Sequence, residues 1–281
     1  MKVLTTEAEI KLLDHSHKRG AVLTMGALHA GHVALIEECR KAIGVDGTLC
    51  VSIFVNPTQF SNTNDLEKYP RTLEADLALC ESAGVDVVFT PDVNEVYPPD
   101  NPPQTLSAGE LGTILEGASR PGHFDAVATV VHRLLAILAA DVTCFGLKDF
   151  QQVAVVRQMI AQTGLNCELL TVETVREADG FALSSRNRRL TPEDRKSAVV
   201  VPQAINAMAD ALGTGMSVEK AIEAGNQILN KSPEVVVDYL TVRSMQLDVP
   251  PMNGLARVLI AAHIGGVRLI DNCAANILEK R

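Results

Sequence analysis

The sequence predicts an α/β protein. A parallel sheet with helices on both faces is expected over residues 1–175, and a smaller α+β domain over residues 176–281. Two observations carry this. Short apolar, β-rich runs alternate with stretches of helical period through the first 175 residues, the pattern of strand–helix–strand units. Near Val175–Leu190 the character changes, and helical stretches are followed by β-rich runs.

Taken in order, residues 6–19 have a polar, helical pattern. Gly20–Thr24 reads as a strand that turns through Gly26 into a helix from about Gly31 to Gly44. Val33, Ile36 and Ile43 recur there at the spacing of a buried face. Thr48–Val55 is β-rich and breaks at Asn56-Pro57, a turn signal. Residues 58–71 are polar and loop-like. A helix over about Thr72–Ala83 sets Leu73, Leu77 and Cys80 on one face and stops at Gly84; strand Val85–Thr90 ends at Pro91. Residues 91–106 hold five prolines and read as irregular, and glycine-bearing 107–123 as a mobile cover. Helix Phe124–Ala140, strand Val142–Phe145, helix Asp149–Thr163 and strand Asn166–Val175 follow. Thr191-Pro192-Glu193-Asp194 starts a long helix to about Leu212, with a threonine cap, proline in the first turn and an acid at the third position. Another helix starts at Ser217, then come strands Val235–Val242, Leu255–His263 and Val267–Asp271.

The 281 residues are 47% hydrophobic and 21% charged, an ordinary globular composition. A net charge of −9 disfavours non-specific binding to nucleic acid or anionic membrane. Six scattered cysteines without a C-x-x-C pair read as core residues of a reducing compartment, neither a disulfide framework nor a zinc site. The N-terminus is too polar for a secretory signal. The most apolar run, Ala126–Ala140, is interrupted by His132 and Arg133, so no membrane span is expected. A cytoplasmic location follows by default.

In an open parallel sheet, ligands bind at the carboxyl ends of the strands. Four polar clusters fall at such predicted ends. The first is Met25–His32, where the helix N-terminus offers backbone N–H groups to phosphate and His29 and His32 flank Gly31. The second is Asn56-Pro57-Thr58-Gln59, the third Gly146–Gln152, and the fourth Ser184-Ser185-Arg186-Asn187. Each alone also reads as an ordinary turn or cap. Together they suit a nucleotide and a small carboxylate. Lys148 and Arg186 match a triphosphate, while Asn56, Gln59 and Gln152 match hydroxyls and a carboxylate. No G-x-x-x-x-G-K-[ST] loop, G-x-G-x-x-G fingerprint or G-x-S-x-G elbow is present.

The segments TMGALHAGH (24–32), FVNPTQF (54–60), YPRTLEAD (69–76), RPGHF (120–124), FGLKDFQQ (145–152), READGFALSSRN (176–187) and RLIDN (268–272) resemble the pantothenate synthetase family of ATP-dependent pantoate–β-alanine ligases. The resemblance spans nearly the whole chain. It implies a Rossmann-like N-terminal domain, a smaller C-terminal domain that covers the site, and a homodimer. It implies ATP-binding roles for Met25, Gly26, Ala27, Leu28, His29, Ala30, Gly31 and His32, with His32 in the proton-donor position. Gly146, Leu147, Lys148 and Asp149, then Val175, Leu183, Ser184, Ser185 and Arg186, match further ATP contacts. Gln59 matches a residue touching pantoate and β-alanine, and Gln152 a pantoate ligand. Arg120 stands where the family has a basic residue near the site, and Asp76 where the resemblance allows an indirect metal contact. Catalytic roles fall to His32, His29, Lys148 and Arg186.

The implied reaction has two steps. Pantoate's carboxylate attacks the α-phosphorus of ATP, giving pantoyl adenylate and pyrophosphate. The amine of β-alanine then displaces AMP. Magnesium is implied by the triphosphate, which would supply most of its ligands. Leu23, Thr58, Ala126 and Val267 depart from the family's usual residues without removing a catalytic side chain. Two other readings stay open: another nucleotidyltransferase sharing H-x-G-H, and a non-catalytic nucleotide-binding protein. A tRNA-handling relative is disfavoured by the net charge of −9 and the lack of a K-M-S-K-S-like segment.

Overall fold

The alternation across residues 1–175 becomes a six-stranded parallel sheet in the computed structural model, which describes residues 1–60, 66, 67 and 69–278. The described residues form two units. The first is Met1–Gly146 with Gln151–Glu173, the second Leu147–Phe150 with Thr174–Arg281.

The first unit runs β1 (Lys2–Leu4), α1 (Glu7–Lys11), β2 (Arg19–Thr24), α2 (Ala30–Ile43), β3 (Thr48–Ile53), α3 (Leu73–Ser82) and β4 (Val87–Phe89). It continues through α4 (Val93–Val96), α5 (Glu116–Ser119), α6 (His123–Leu138), β5 (Val142–Gly146), α7 (Phe150–Thr163) and β6 (Glu168–Val172). The strand order is β1-β4-β3-β2-β5-β6, with every pair parallel. β2 is buried along almost its whole length, as a strand covered on both faces must be. Ile36, Cys39 and Ile43 of α2 pack onto Val22, Leu49, Val51 and Cys144 of the sheet. Because β2 is flanked by β3 and β5, the strand order reverses between β2 and β5. The crevice at their carboxyl ends is where an open α/β sheet binds ligands. Met25 follows β2, and Gly146 closes β5.

Several expectations are corrected. The helix expected over 6–19 stops at Lys11, because the Asp14 carboxylate bonds the Ser16 amide (2.9 Å) and hydroxyl (2.7 Å) and so competes with the helical ladder. In α3 the buried positions are Asp76 and Cys80, whereas Leu73 is 45% exposed. The mobile cover expected at 107–123 is tied down. Gln151 Nε2 donates to the Leu111 and Ile114 carbonyls (2.7 and 2.8 Å) and its Oε1 accepts the Glu116 amide (3.0 Å). Of the loop expected at 58–71, residues 61–65 and 68 lie outside those described.

The second unit packs α8 (Pro192–Ser197), α9 (Val200–Gly213) and α10 (Val218–Leu229) with an antiparallel sheet β7-β8-β9 (Val236–Ser244, Gly254–Ile264, Val267–Ile277). Ala204, Ile205, Met208 and Leu212 of α9 share one core with Val258, Ile260 and Ala262 of β8. The single long helix expected after Thr191 is two. Pro202 has no N–H for the Ala198 carbonyl and its ring crowds that oxygen; the Val201 amide takes the bond instead (3.0 Å), and the chain turns between α8 and α9. β9 extends to Ile277, six residues past the expected Asp271, because it pairs with β8 over its full length. Among the described residues no helix is long and apolar enough to cross a membrane.

Candidate active site

β2 ends at Thr24, whose hydroxyl donates to the Ser52 carbonyl (2.8 Å) and accepts the Gly26 amide (3.2 Å). The chain then turns through two left-handed residues, Gly26 (φ 82°) and Ala27 (φ 51°). Glycine adopts this conformation freely, but an alanine there costs about 1–2 kcal/mol. Asp76, brought by α3 and only 2% exposed, offsets that strain. Its carboxylate accepts the Ala27 amide (3.0 Å), the Leu28 amide (2.8 Å) and the Thr72 hydroxyl (3.2 Å). Asp76 thus anchors this turn.

His29 is the N-cap of α2. Its Nδ1 accepts the Gly31 amide at 3.1 Å, and Nδ1 of His32 accepts the His29 amide at 3.2 Å. The rings lie 4.2 Å apart at 49°. A ring nitrogen that accepts an N–H carries no proton, so each neutral imidazole holds its proton on Nε2 and presents that atom as a donor. Gly31 is a steric requirement, since a Cβ there would lie 2.9 Å from His29 Cε1. The amides of Gly26, Ala27, Leu28, His29, Gly31 and His32 all donate within the turn or to Asp76. The two imidazoles are the side-chain donors that stand beside these engaged amides.

Asn56, 1% exposed, caps the short turn Pro57–Gln59 after β3. Its Oδ1 accepts the Thr58 amide (3.3 Å), the Thr58 hydroxyl (3.0 Å) and the Tyr97 hydroxyl (3.1 Å). Its Nδ2 is buried without a hydrogen-bond partner among the described residues, a costly state that an acceptor on a ligand would relieve. Thr58, one of the departures from the family, thus places a hydroxyl that donates to Asn56. Burial pushes the Tyr97 phenol upward, so it remains a donor.

Gln59 is held through its backbone. Arg120 Nη2 and His123 Nδ1 both donate to its carbonyl, each at 3.2 Å, and Arg120 Nη1 lies 3.0 Å from His123 Nε2. This geometry needs His123 neutral with its proton on Nδ1. Gln152 sits half-buried in the first turn of α7, next to buried Gln151.

In the second unit, Lys148 lies in a short turn, Leu147–Asp149, with Nζ 3.8 Å from Asp149 Oδ1. Leu183 donates its amide to the Val175 carbonyl (3.0 Å), and the Ser184 hydroxyl caps the turn Ser185–Arg189 by accepting the Arg186 amide (3.3 Å). Arg176 makes a bidentate pair with Asp271 (2.8 and 2.9 Å). The first unit thus holds Met25–His32, Asn56, Gln59, Asp76, Arg120, Gly146 and Gln152; the second holds Leu147, Lys148, Asp149, Val175 and Leu183–Arg186. Sequence reasoning missed the contacts made by Tyr97, His123 and Gln151. For His123 the signal was present as membership of RPGHF, but not as a role.

Burial pushes the thiols of Cys50, Cys167 and Cys273 up to about 12, and that of Cys80 to about 11. None of these four is a thiolate nucleophile at neutral pH. Among the described residues no group of three or more His, Cys, Asp or Glu side chains is placed to hold a metal ion.

The family described as pantoate-beta-alanine ligase matches residues 2–274. A pantothenate synthetase of Nocardioides sp. is 48% identical over 260 residues, covering 90% of this chain and 77% of that protein. The crystal structure of a pantothenate synthetase from Thermus thermophilus superposes with a TM-score of 0.91 at 42% identity, covering 97% of this chain and 99% of the other. That of the Francisella tularensis pantoate-beta-alanine ligase, complexed with beta-gamma ATP and beta-alanine, gives a TM-score of 0.79 at 33% identity, covering 97% of each chain.

Proposed function

The chain belongs to the pantoate–β-alanine ligase family, and from that premise we propose how its residues share the work of making pantothenate. The enzyme condenses pantoate with β-alanine using ATP, through an acyl adenylate. In the first step a pantoate carboxylate oxygen attacks the α-phosphorus and the bond to pyrophosphate breaks. In the second the β-alanine nitrogen attacks the acyl carbon, AMP leaves and a proton is lost from nitrogen.

Phosphoryl-group chemistry of this kind needs positioning and charge stabilisation rather than a protein nucleophile. The observation that carries the assignment is the reciprocal capping of His29 and His32 after β2, which leaves Nε2 as the protonated nitrogen on both rings. We assign these two donors to phosphate oxygens, where charge grows as pyrophosphate departs, and His32 to proton donation. Lys148 and Arg186 neutralise the same charge. Met25 and Gly146–Asp149, with Val175 and Leu183–Ser185, bind the nucleotide. Gln59 and Gln152 read pantoate, and the unpaired Nδ2 of buried Asn56 supplies a further donor. Buried amides that a wrong acid leaves unpaired give discrimination. Magnesium accompanies the triphosphate, whose oxygens supply its ligands.

We further infer a homodimer, as the family resemblance implies, and a cytoplasmic location, which the buried free cysteines fit. The net charge of −9 supports small-molecule partners rather than nucleic acid or membrane. The test is AMP formation. It is expected only when ATP, pantoate and β-alanine are all present; AMP release that ignores the identity of the acid would overturn the assignment.

A further inference from the structure

We infer that Asn272 and Arg257 are positioning residues for Lys148. This rests on the phosphate-binding role proposed for Lys148. The Asn272 side-chain amide donates to two consecutive carbonyls, those of Leu147 (3.0 Å) and Lys148 (2.8 Å). Its Oδ1 accepts Arg257 Nε at 2.6 Å. Arg257 is 1% exposed and lies 4.8 Å above the Phe150 ring, so it braces the two ends of the same short segment. The neighbouring Asp271 holds Arg176, whose guanidinium also donates to the Asn272 carbonyl (3.0 Å).

A lysine is a point charge on a flexible four-carbon stem. Its ammonium is placed reproducibly only if its backbone is fixed. Leu147–Asp149 is a single 3₁₀ turn of three residues, and the Asn272 amide adds a constraint from outside it. A buried guanidinium is costly unless it is hydrogen-bonded, and a satisfied buried network of this kind rigidifies what it touches. The clamp thus connects strands β8 and β9, which carry Arg257 and Asn272, to the Lys148 backbone.

Asn272→Asp is the sharpest test. A carboxylate still accepts from Arg257 but cannot donate, so it sets negative charge against two carbonyl oxygens. Pantoate-dependent ATP–pyrophosphate exchange is measured in wild type, Asn272→Asp, Lys148→Ala and the double variant, alongside thermal unfolding. The expected result is an exchange kcat roughly 10–100-fold lower for Asn272→Asp, by loss of preorganised charge stabilisation. KM for pantoate should stay within about twofold, and the substitution should add no more than about threefold in the Lys148→Ala background. A full, additive effect in that background overturns the inference, because the damage then does not pass through Lys148. So does a wild-type rate for Asn272→Asp beside an impaired Lys148→Ala. A fully active Lys148→Ala enzyme overturns the role of Lys148 itself, and this inference with it. If Asn272→Asp does not fold, Asn272→Ser, which keeps one donor, is read in the same cycle with the same outcomes.

Discussion

His29 and His32 lock each other: His32 Nδ1 accepts the His29 amide at 3.2 Å, while His29 caps the helix that carries His32. Structure and chemistry use opposite edges of each ring. Asparagine is a good N-cap and its oxygen can reach the Gly31 amide as Nδ1 does, but it has nothing at the place of Nε2. His29→Asn is therefore expected to unfold within about 0.5 kcal/mol of wild type. Its pyrophosphate exchange should fall roughly 10²–10³-fold. Urea melts and exchange rates check the two halves separately.

Asp76 is predicted to matter for the turn without touching substrate. Replacing it by alanine strands the Ala27 and Leu28 amides, at a cost of about 1–3 kcal/mol for each buried donor left unpaired. Equilibrium unfolding measures this. Ala27→Gly should partly restore stability to Asp76→Ala, because glycine relieves the left-handed strain that Asp76 otherwise offsets.

The clamp on Gln59 predicts a substrate-specific defect. His123→Ala removes one of the donors to the Gln59 carbonyl and the ring that Arg120 bonds. KM for pantoate is expected to rise severalfold while KM for ATP is unchanged, which steady-state kinetics with each substrate varied in turn will show.

These assignments mark how far the sequence could be read. The β2–turn–α2 unit was legible because its signals are local: an apolar run, Gly26 and Gly31, then a helical period. What satisfies that turn was not legible, since Asp76 lies 49 residues from Ala27 in the chain and only folding brings α3 beside it. The partners of the amides near this helix N-terminus were hidden for the same reason, since Asp76 accepts those of Ala27 and Leu28. Pro202 is a local signal of a helix break, but the strong cap at Thr191 pointed to one continuous helix. RLIDN was visible as a motif, yet the work of Asn272 depends on the pairing of β8 with β9, which no spacing announces.

The Glu7 carboxylate predicts a pH dependence. Hydrogen bonding to Lys11 (2.8 Å) and the charge of Arg133 (2.6 Å) hold it below its ordinary value, against the opposing effect of burial. A depressed carboxylate stabilises the fold above its unfolded value, and that stability is lost as pH falls through the folded value. Arg133→Ala should cost roughly 0.2–1 kcal/mol more at pH 7 than at a pH low enough to protonate Glu7 in the folded protein. Urea unfolding at the two pH values measures the difference.

The central claim is that Nε2 of His32 stabilises charge in the adenylate-forming step. Its most direct test is pantoate-dependent ATP–pyrophosphate exchange by His32→Ala, with ATP affinity measured on the same preparation. ATP is expected still to bind while exchange falls roughly 10²–10³-fold. Near-normal exchange by that variant would contradict the claim.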